Sequence, residues 1–139
     1  MVPTSTTNPD CIFCRIVAGE IPSKQVHADE HAIAFLDVAP FKRGHTLVVS
    51  RTHVPDALTD ADVLASLAPT IASVGRLLMD RLGASGLNIV SNVGPDAGQS
   101  VFHLHVHLMP RFADDAGFSA MVDRVDGIDT DEVFAALTP

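Results

Sequence analysis

Between residues 60 and 82 the apolar positions fall at Leu64, Leu67, Ile71, Val74, Leu78 and Leu82. Those steps of three and four place them on one face of a helix, and the spacing predicts a long helix over 60–82. Thr59 is suited to cap its start, with Asp62 three residues on, and Gly83 is suited to end it. Pro69 sits inside the pattern and predicts a kink. Elsewhere the pattern shortens to runs rich in β-branched and aromatic residues. "HAIAFLDV" and "HTLVVS" read as strands joined by a turn at "FKRG". "LNIVSNV" and "SVFHLHVHLM" read as two more, joined by a turn at "GPDAG". "CIFCRIVAGEIPS" reads as a short helix closed by Gly19 and stopped near Pro22, and a last helix is expected from Asp129 to Leu137. Strands grouped around one long helix predict an α+β fold with an antiparallel sheet.

The length of 139 residues fits one domain with its own core, and 47% hydrophobic with 19% charged residues fits a globular chain. The opening "MVPTSTTNPD" has no basic flank followed by an apolar run. It reads as a loose tail over 1–10 ahead of a domain over 11–139, without a secretory leader. No uninterrupted apolar run approaches the roughly 20 residues of a membrane span, so no membrane partner is expected. Seventeen acids against nine bases leave a net charge of −8, which argues against a nucleic-acid polymer as partner. A single nucleotide stays open, because local donors decide a small site. Cys11 and Cys14 are the two cysteines. With no leader they point to a reduced, cytoplasmic setting, where a structural disulfide is not expected.

The candidate chemistry lies in "QSVFHLHVHLMPR", where His103, His105 and His107 alternate with Leu104, Val106 and Leu108. On a strand the histidines would share one face and the apolar three would face the core. Three readings fit: a His-rich solvent face, a metal site of three imidazoles, or nucleophilic catalysis with one imidazole attacking and its neighbours orienting it. Just upstream, Asn92, Gln99 and Ser100 supply neutral donors, and Gly94 and Gly98 allow close backbone approach. Beside an imidazole row, this loop suits phosphate oxygens.

These segments resemble the histidine triad (HIT) family of nucleotide hydrolases and transferases. "HLHVHLM" fits the family's His-x-His-x-His signature, and "IFCRIVAGEIPS", "AFLDVAPFKRGHTLVVSRTH" and "NVGPDAGQSVFHLHVHLMPR" follow in family order. The likeness runs from about Cys11 to Arg111 and fades over 112–139, a segment variable among members. It implies a five-stranded antiparallel sheet with one long helix and short terminal helices, and a homodimer whose sheets join. It implies attack on the α-phosphorus of a purine nucleotide by His105, forming a nucleotidyl-histidine that water then hydrolyses. His103 would orient His105 through its carbonyl. His107 and Ser100 would contact the phosphate, Gln99 and Asn92 would help position it, and His45 would lie beside them. Asp37 would accept the ribose hydroxyls, and Ile12, Phe13, Phe35, Val38 and Leu47 would wall the base.

"CIFC" lacks the βαβ context of a redox motif, and a zinc site needs two further ligands. The resemblance supplies them: Cys11, Cys14, His53 and His103 would hold a structural zinc, with no organic cofactor. The activity implied is that of a Hint-like nucleoside phosphoramidase. A dinucleoside polyphosphate hydrolase is the neighbouring alternative. A nucleotide-binding adaptor with vestigial catalysis and a three-histidine metalloenzyme are the alternatives from other classes.

Overall fold

The computed structural model describes residues 7–115, 117–120 and 122–138. Residues 1–6 of the expected tail lie outside that set. Residues 8–11 are tied down, since Cys11 N–H donates to the Asn8 carbonyl and Asn8 N–H to the Cys14 sulfur. Five strands, β1 (Gln25–Ala28), β2 (Ala32–Leu36), β3 (Thr46–Ser50), β4 (Gly86–Val90) and β5 (His105–Arg111), form one antiparallel sheet in the order β1-β2-β3-β5-β4. The fold is α+β, as the patterning predicts. β1 was not legible, because "QVHA" is four residues long with polar or small residues at three of them.

Period-two alternation divides the sheet into two faces. Ala32, Ala34, Val48, Leu104, Val106 and Leu108 pack beneath the helices with Val74 and Leu78. Ile33, Phe35, Leu47 and Val49 form the other cluster with Phe13 and Ile16 of α1 (Ile12–Val17). Val49 pairs with His105 and Leu47 with His107, so the two histidines emerge on that second face. Residues Thr46 to Ser50 of β3 are all buried, which makes it the rigid centre from which the site is built.

The long helix departs from the expectation. It is two helices, α2 (Ala61–Ser66) and α3 (Ala68–Leu82), broken at Leu67. Pro69 lies in the first turn of α3, where a missing N–H costs nothing. The chain therefore restarts there, breaking at Leu67 instead of kinking within one helix. The cap is Asp60, whose Oδ1 accepts from the amides of Asp62 and Val63, while the Thr59 hydroxyl donates to Asp56. Gly83 ends α3 in the left-handed region as predicted. By length and mean hydropathy, 22 residues at 1.3, Ala61–Leu82 would suffice for a membrane span, contrary to the reading from uninterrupted runs. In the structure Leu67, Thr70, Val74 and Leu78 are buried, with Leu67, Val74 and Leu78 in the cluster against the sheet.

Two local devices hold these layers in register. At the "FKRG" turn Gly44 has φ +86°, and a Cβ there would collide with Leu82 at the end of α3. At the β1–β2 turn, the Asp29 carboxylate accepts from the Thr70 hydroxyl of α3 and from the amides of His31 and Ala32, with His27 Nε2 at 3.0 Å. The last helix, α4 (Thr130–Leu137), starts one residue after the expected Asp129, which serves as its cap.

Asp29 carries a pH signature. Burial alone would raise its carboxyl, but the Thr70, His31, His27 and Ala32 contacts outweigh burial and hold it at about 2. The unfolded chain then binds the extra proton first, so this contribution is present above pH ~4 and is lost as pH falls toward ~2. Urea unfolding of Asp29→Asn is expected to show a loss on the order of 1–2 kcal/mol near neutral pH, shrinking between pH ~4 and ~2. A difference from wild type that stays constant over that range would contradict the assignment.

Candidate functional site

β5 begins at His105, not at Ser100, so His103 lies outside the ladder. There the regular pairing with β3 ends: the Leu104 carbonyl accepts from the Ser50 amide at 3.3 Å, while Leu104 N–H donates to the Val54 carbonyl at 2.8 Å. The three histidines therefore do different work. His103 is fully buried, and its Nε2–H donates to the Ser50 carbonyl at 2.6 Å. That leaves Nδ1 as a lone pair. It points toward Cys11 and Cys14, with sulfur atoms at 3.4 and 3.5 Å, and lies 3.1 Å from His53 Nδ1. His105 follows the opposite rule. Its Nδ1–H donates to the His103 carbonyl at 2.7 Å, which leaves the Nε2 lone pair free.

His107 is set from outside the strand. The Phe41 amide donates to His45 Nδ1 at 3.2 Å, so neutral His45 must carry its proton on Nε2. That nitrogen is 3.0 Å from His107 Nδ1 and donates to it. His107 is therefore protonated on Nε2 and offers an N–H to the cavity. Asp37, 3.7 Å from His45 Nε2, also accepts from the Ala39 amide. Asp37, His45 and His107 have ligand atoms close enough for a metal. The Phe41 amide opposes that use, because His45 would have to turn a second donor against it to free Nε2. A run of ring contacts links the group: Phe13 to His105 at 4.9 Å, His105 to His107 at 5.0 Å, His107 to His45 at 5.2 Å and His45 to Phe41 at 5.5 Å.

Burial shifts all four imidazoles away from the charged form. His103 and His107 are lowered to about 4, chiefly by desolvation, with neighbouring imidazoles adding to it. His45 and His105 are lowered for the same first reason, opposed by the Asp37 charge and, for His105, by the His103 carbonyl. At neutral pH the row is uncharged, the state in which an imidazole can attack.

A cavity of about 330 Å³ on this face is lined by Ile12, Phe13, Phe35, Val38 and Leu47, with Asp37, Ser100, His105 and His107 at its polar end. Ten of the expected site residues are therefore placed together or beside one another, His45 behind His107 among them. Two differ. Asn92 lines another cavity, of about 620 Å³, on the far side of His107. Gln99 is buried and fully engaged: Oε1 accepts from the Gly94 amide and Nε2 donates to the carbonyls of Pro55 and Val101. It braces the loop and offers no donor to a ligand. Four amides of the loop are spent inside it. The amides of Gly94, Ala97, Gly98 and Gln99 are all satisfied within it. Sequence reading missed Phe41, which it took for a plain turn residue. Its backbone role depends on a fold-specific approach to His45 that no spacing announces.

Cys11, Cys14, His53 and His103 bring four ligand atoms within 4.8 Å of one another. Cys14 Sγ to His53 Nδ1 is 3.3 Å, and the other separations given above span 3.1 to 3.5 Å. Tetrahedral zinc with two sulfurs and two nitrogens needs ligand separations of about 3.3–3.8 Å. The donor set therefore fits the ion. The Ser50 carbonyl supplies the outer hydrogen bond that orients a ligating His103. Burial and the neighbouring Cys11 thiol push the Cys14 thiol up, a cost that a cation between the two sulfurs would remove. The ligand sets separate the three histidines. His103 is in the cysteine cluster, His107 in the Asp37 cluster and His105 in neither, which disfavours one metal shared by all three.

Comparison with known proteins bears on the family and the fold. Residues 18–114 match the family model described as the HIT domain. The protein hit of Bacillus subtilis is 43% identical over 113 residues, covering 81% of this chain and 78% of that one. The adenylylsulfatase HINT3 of Arabidopsis thaliana is 32% identical over 111 residues, covering 79% of this chain and 56% of that one. Among solved structures, a zinc-bound histidine triad family protein from Mycobacterium smegmatis is 38% identical and superposes with a TM-score of 0.73, covering 88% of this chain and 86% of that one.

The tautomers can be read directly. Nitrogen-15 NMR of the histidine rings at pH 7 is expected to show protonated Nδ1 on His105 and protonated Nε2 on His107. His107 is expected to titrate near pH 4, since its folded value is depressed and it gains charge as pH falls. A His107 midpoint near the ordinary value of 6.5, or the reverse tautomer, would contradict the hydrogen-bond chain.

Proposed function

The chain belongs to the HIT family, and from that premise we propose that it is a nucleotidyl hydrolase acting at the α-phosphorus of purine nucleotides, with His105 as nucleophile. The observation that carries this reading is the His105 hydrogen bond. With Nδ1–H committed to the His103 carbonyl, the Nε2 lone pair borders the cavity that also holds Ser100 and His107. A nucleoside fits that cavity in one direction. Its base lies among Phe13, Phe35 and Leu47, its ribose hydroxyls donate to Asp37, and its phosphate reaches the histidines.

The chemistry follows from the tautomers. His105 Nε2 attacks phosphorus, a P–N bond forms, and the bond to the leaving group breaks with its electron pair departing on that group. The phosphorylated ring is then an imidazolium, and the His103 carbonyl stabilises it by accepting from Nδ1–H. His107 Nε2–H and the Ser100 hydroxyl donate to the phosphate oxygens on which charge builds. Water then attacks phosphorus, the P–N bond breaks, and the nucleoside monophosphate leaves with His105 restored. Splitting one displacement into two is the gain that a nucleophilic imidazole supplies. The Arabidopsis relative is named as an adenylylsulfatase, and an adenylyl sulfate is likewise a donor of an AMP group. Among leaving groups, an amine, as in a nucleoside phosphoramidate, is the reading favoured here.

His105→Ala is expected to lower turnover of adenosine 5′-phosphoramidate by ~10³-fold or more while AMP still binds. Near wild-type turnover in that variant would overturn the nucleophile.

We further propose that Cys11, Cys14, His53 and His103 hold a structural zinc. Bound there, the ion would tie α1 to the segment carrying His103, and through the His103 carbonyl steady His105. The purified protein is expected to carry about one zinc per chain. Cys14→Ser is expected to lose it and to melt on the order of 10 °C lower. Metal-free wild type with two free thiols and an unchanged melting temperature would refute the site.

A further inference from the structure

Asp37 and His45 face each other across the end of one ladder. The last registered pair of β2 and β3 is Leu36 with Thr46, and one step beyond it the Asp37 amide donates to the His45 carbonyl at 3.0 Å. Directly opposed residues of an antiparallel pair point to the same face, so both side chains come to the face that carries His107. The two oxygens of Asp37 are not equivalent there. Oδ1 accepts from the Ala39 amide at 2.9 Å, and Oδ2 lies 3.7 Å from His45 Nε2. Among the described residues the Ala39 amide alone donates a hydrogen bond to this carboxylate. The same carboxylate lines the nucleoside cavity.

His45 has no freedom to turn away. It is buried, its ring lies against those of Phe41 and His107, and its Nδ1 is held by the Phe41 amide. Its one N–H, on Nε2, therefore stands before two acceptors, His107 Nδ1 at 3.0 Å and Asp37 Oδ2 at 3.7 Å. The nitrogen is nearer, but the oxygen carries the charge. Away from bulk water a carboxylate at that range pulls on an N–H dipole, and the bond that His107 receives is weakened by it.

We propose that ribose recognition and phosphate recognition are coupled through this N–H: a ribose diol on Asp37 releases it to His107, and His45 is the positioning residue between them. The proposal rests on the nucleotidyl-transfer reading above. Each ribose hydroxyl that donates to Asp37 takes up part of its charge. The His45 N–H then serves His107 Nδ1 alone. That fixes the His107 ring and polarises its Nε2–H toward the phosphate oxygens. No proton changes owner. Ribonucleotides are thereby distinguished from deoxyribonucleotides in the rate of transfer as well as in binding. Hydroxyls used for binding only would move KM and leave the saturated rate untouched, whereas a weakened His107 is felt as charge builds on phosphate.

Single turnovers at saturating enzyme compare adenosine 5′-phosphoramidate with its 2′,3′-dideoxy analogue. For wild type the saturated rate is expected to fall about tenfold on the dideoxy substrate, the scale of one hydrogen bond to a charged group. In His45→Gln the side-chain nitrogen carries two hydrogens and need not choose between acceptors, while Asp37 still meets the ribose. The ratio of saturated rates in that variant is expected to fall to about one, with the difference in half-saturating concentration kept. A ratio does not depend on the folded fraction, so a destabilised variant still reports. Wild type gives a second readout. On titration with adenosine, which has no phosphate, the His45 Nε2 proton resonance is expected to move downfield as its bond to His107 tightens, and to stay in place with 2′,3′-dideoxyadenosine. Equal saturated rates in wild type, the wild-type penalty surviving in His45→Gln, or a His45 proton that answers both nucleosides alike would overturn the coupling and leave the nucleotidyl reaction standing. Turnover of neither substrate by wild type would overturn the reaction itself and the coupling with it.

Discussion

His103 satisfies three demands at once, and the rest of the site is arranged around it. Its side chain must be buried, which requires a partner for every polar atom. The Ser50 carbonyl takes Nε2–H, and this forces Nδ1 to face the two thiols. Its main-chain carbonyl, freed because the strand ladder starts two residues later, accepts from His105. One hydrogen bond thus decides which nitrogen of His103 can meet a metal, and the carbonyl beside it decides which nitrogen of His105 can meet phosphorus. Neither choice belongs to the imidazoles alone.

The same logic of forced tautomers runs in from the other side. The Phe41 amide fixes His45, and His45 fixes His107. The two chains of bonds start on different loops and meet at adjacent same-face positions of β5, one leaving a lone pair and the next leaving an N–H. Under the proposed function, a nucleophile beside a donor is what displacement at phosphorus requires, and the lone pair and the N–H are both preset before any ligand arrives. Desolvation by the sheet and by Phe13 keeps the rings neutral. The apolar packing of α1 against β2 and β3 is therefore part of the chemistry as well as of the core.

Much of this was legible in the sequence, for reasons that can be named. Alternation in "HLHVHLM" placed Leu104, Val106 and Leu108 in the core and His105 and His107 opposite, because side-chain period is a local property. The same alternation misled at His103. The pattern continues through it, but the regular pairing ends before it, where Leu104 N–H bonds to Val54 instead of β3, a tertiary event. The break at Leu67 hid behind an unbroken apolar stripe, and Asp60 displaced Thr59 as cap by a single position. Gln99 was read as a ligand donor because its type allows it. Only the fold shows both ends of its amide spent on the loop. Phe41 was invisible in a different way, since its contribution to His45 is a backbone N–H that any residue but proline could supply.

Under the proposed function, phosphorus is transferred to His105 itself. Wild-type protein mixed with adenosine 5′-phosphoramidate can be quenched in alkali within the first turnover and digested, and the adduct mapped by mass spectrometry. An adenylyl group is expected on the peptide containing His105, at the nitrogen not bonded to the His103 carbonyl, and is expected to disappear as AMP is released. Release of AMP at full rate with no adduct at any time, or with the adduct on another residue, would contradict it.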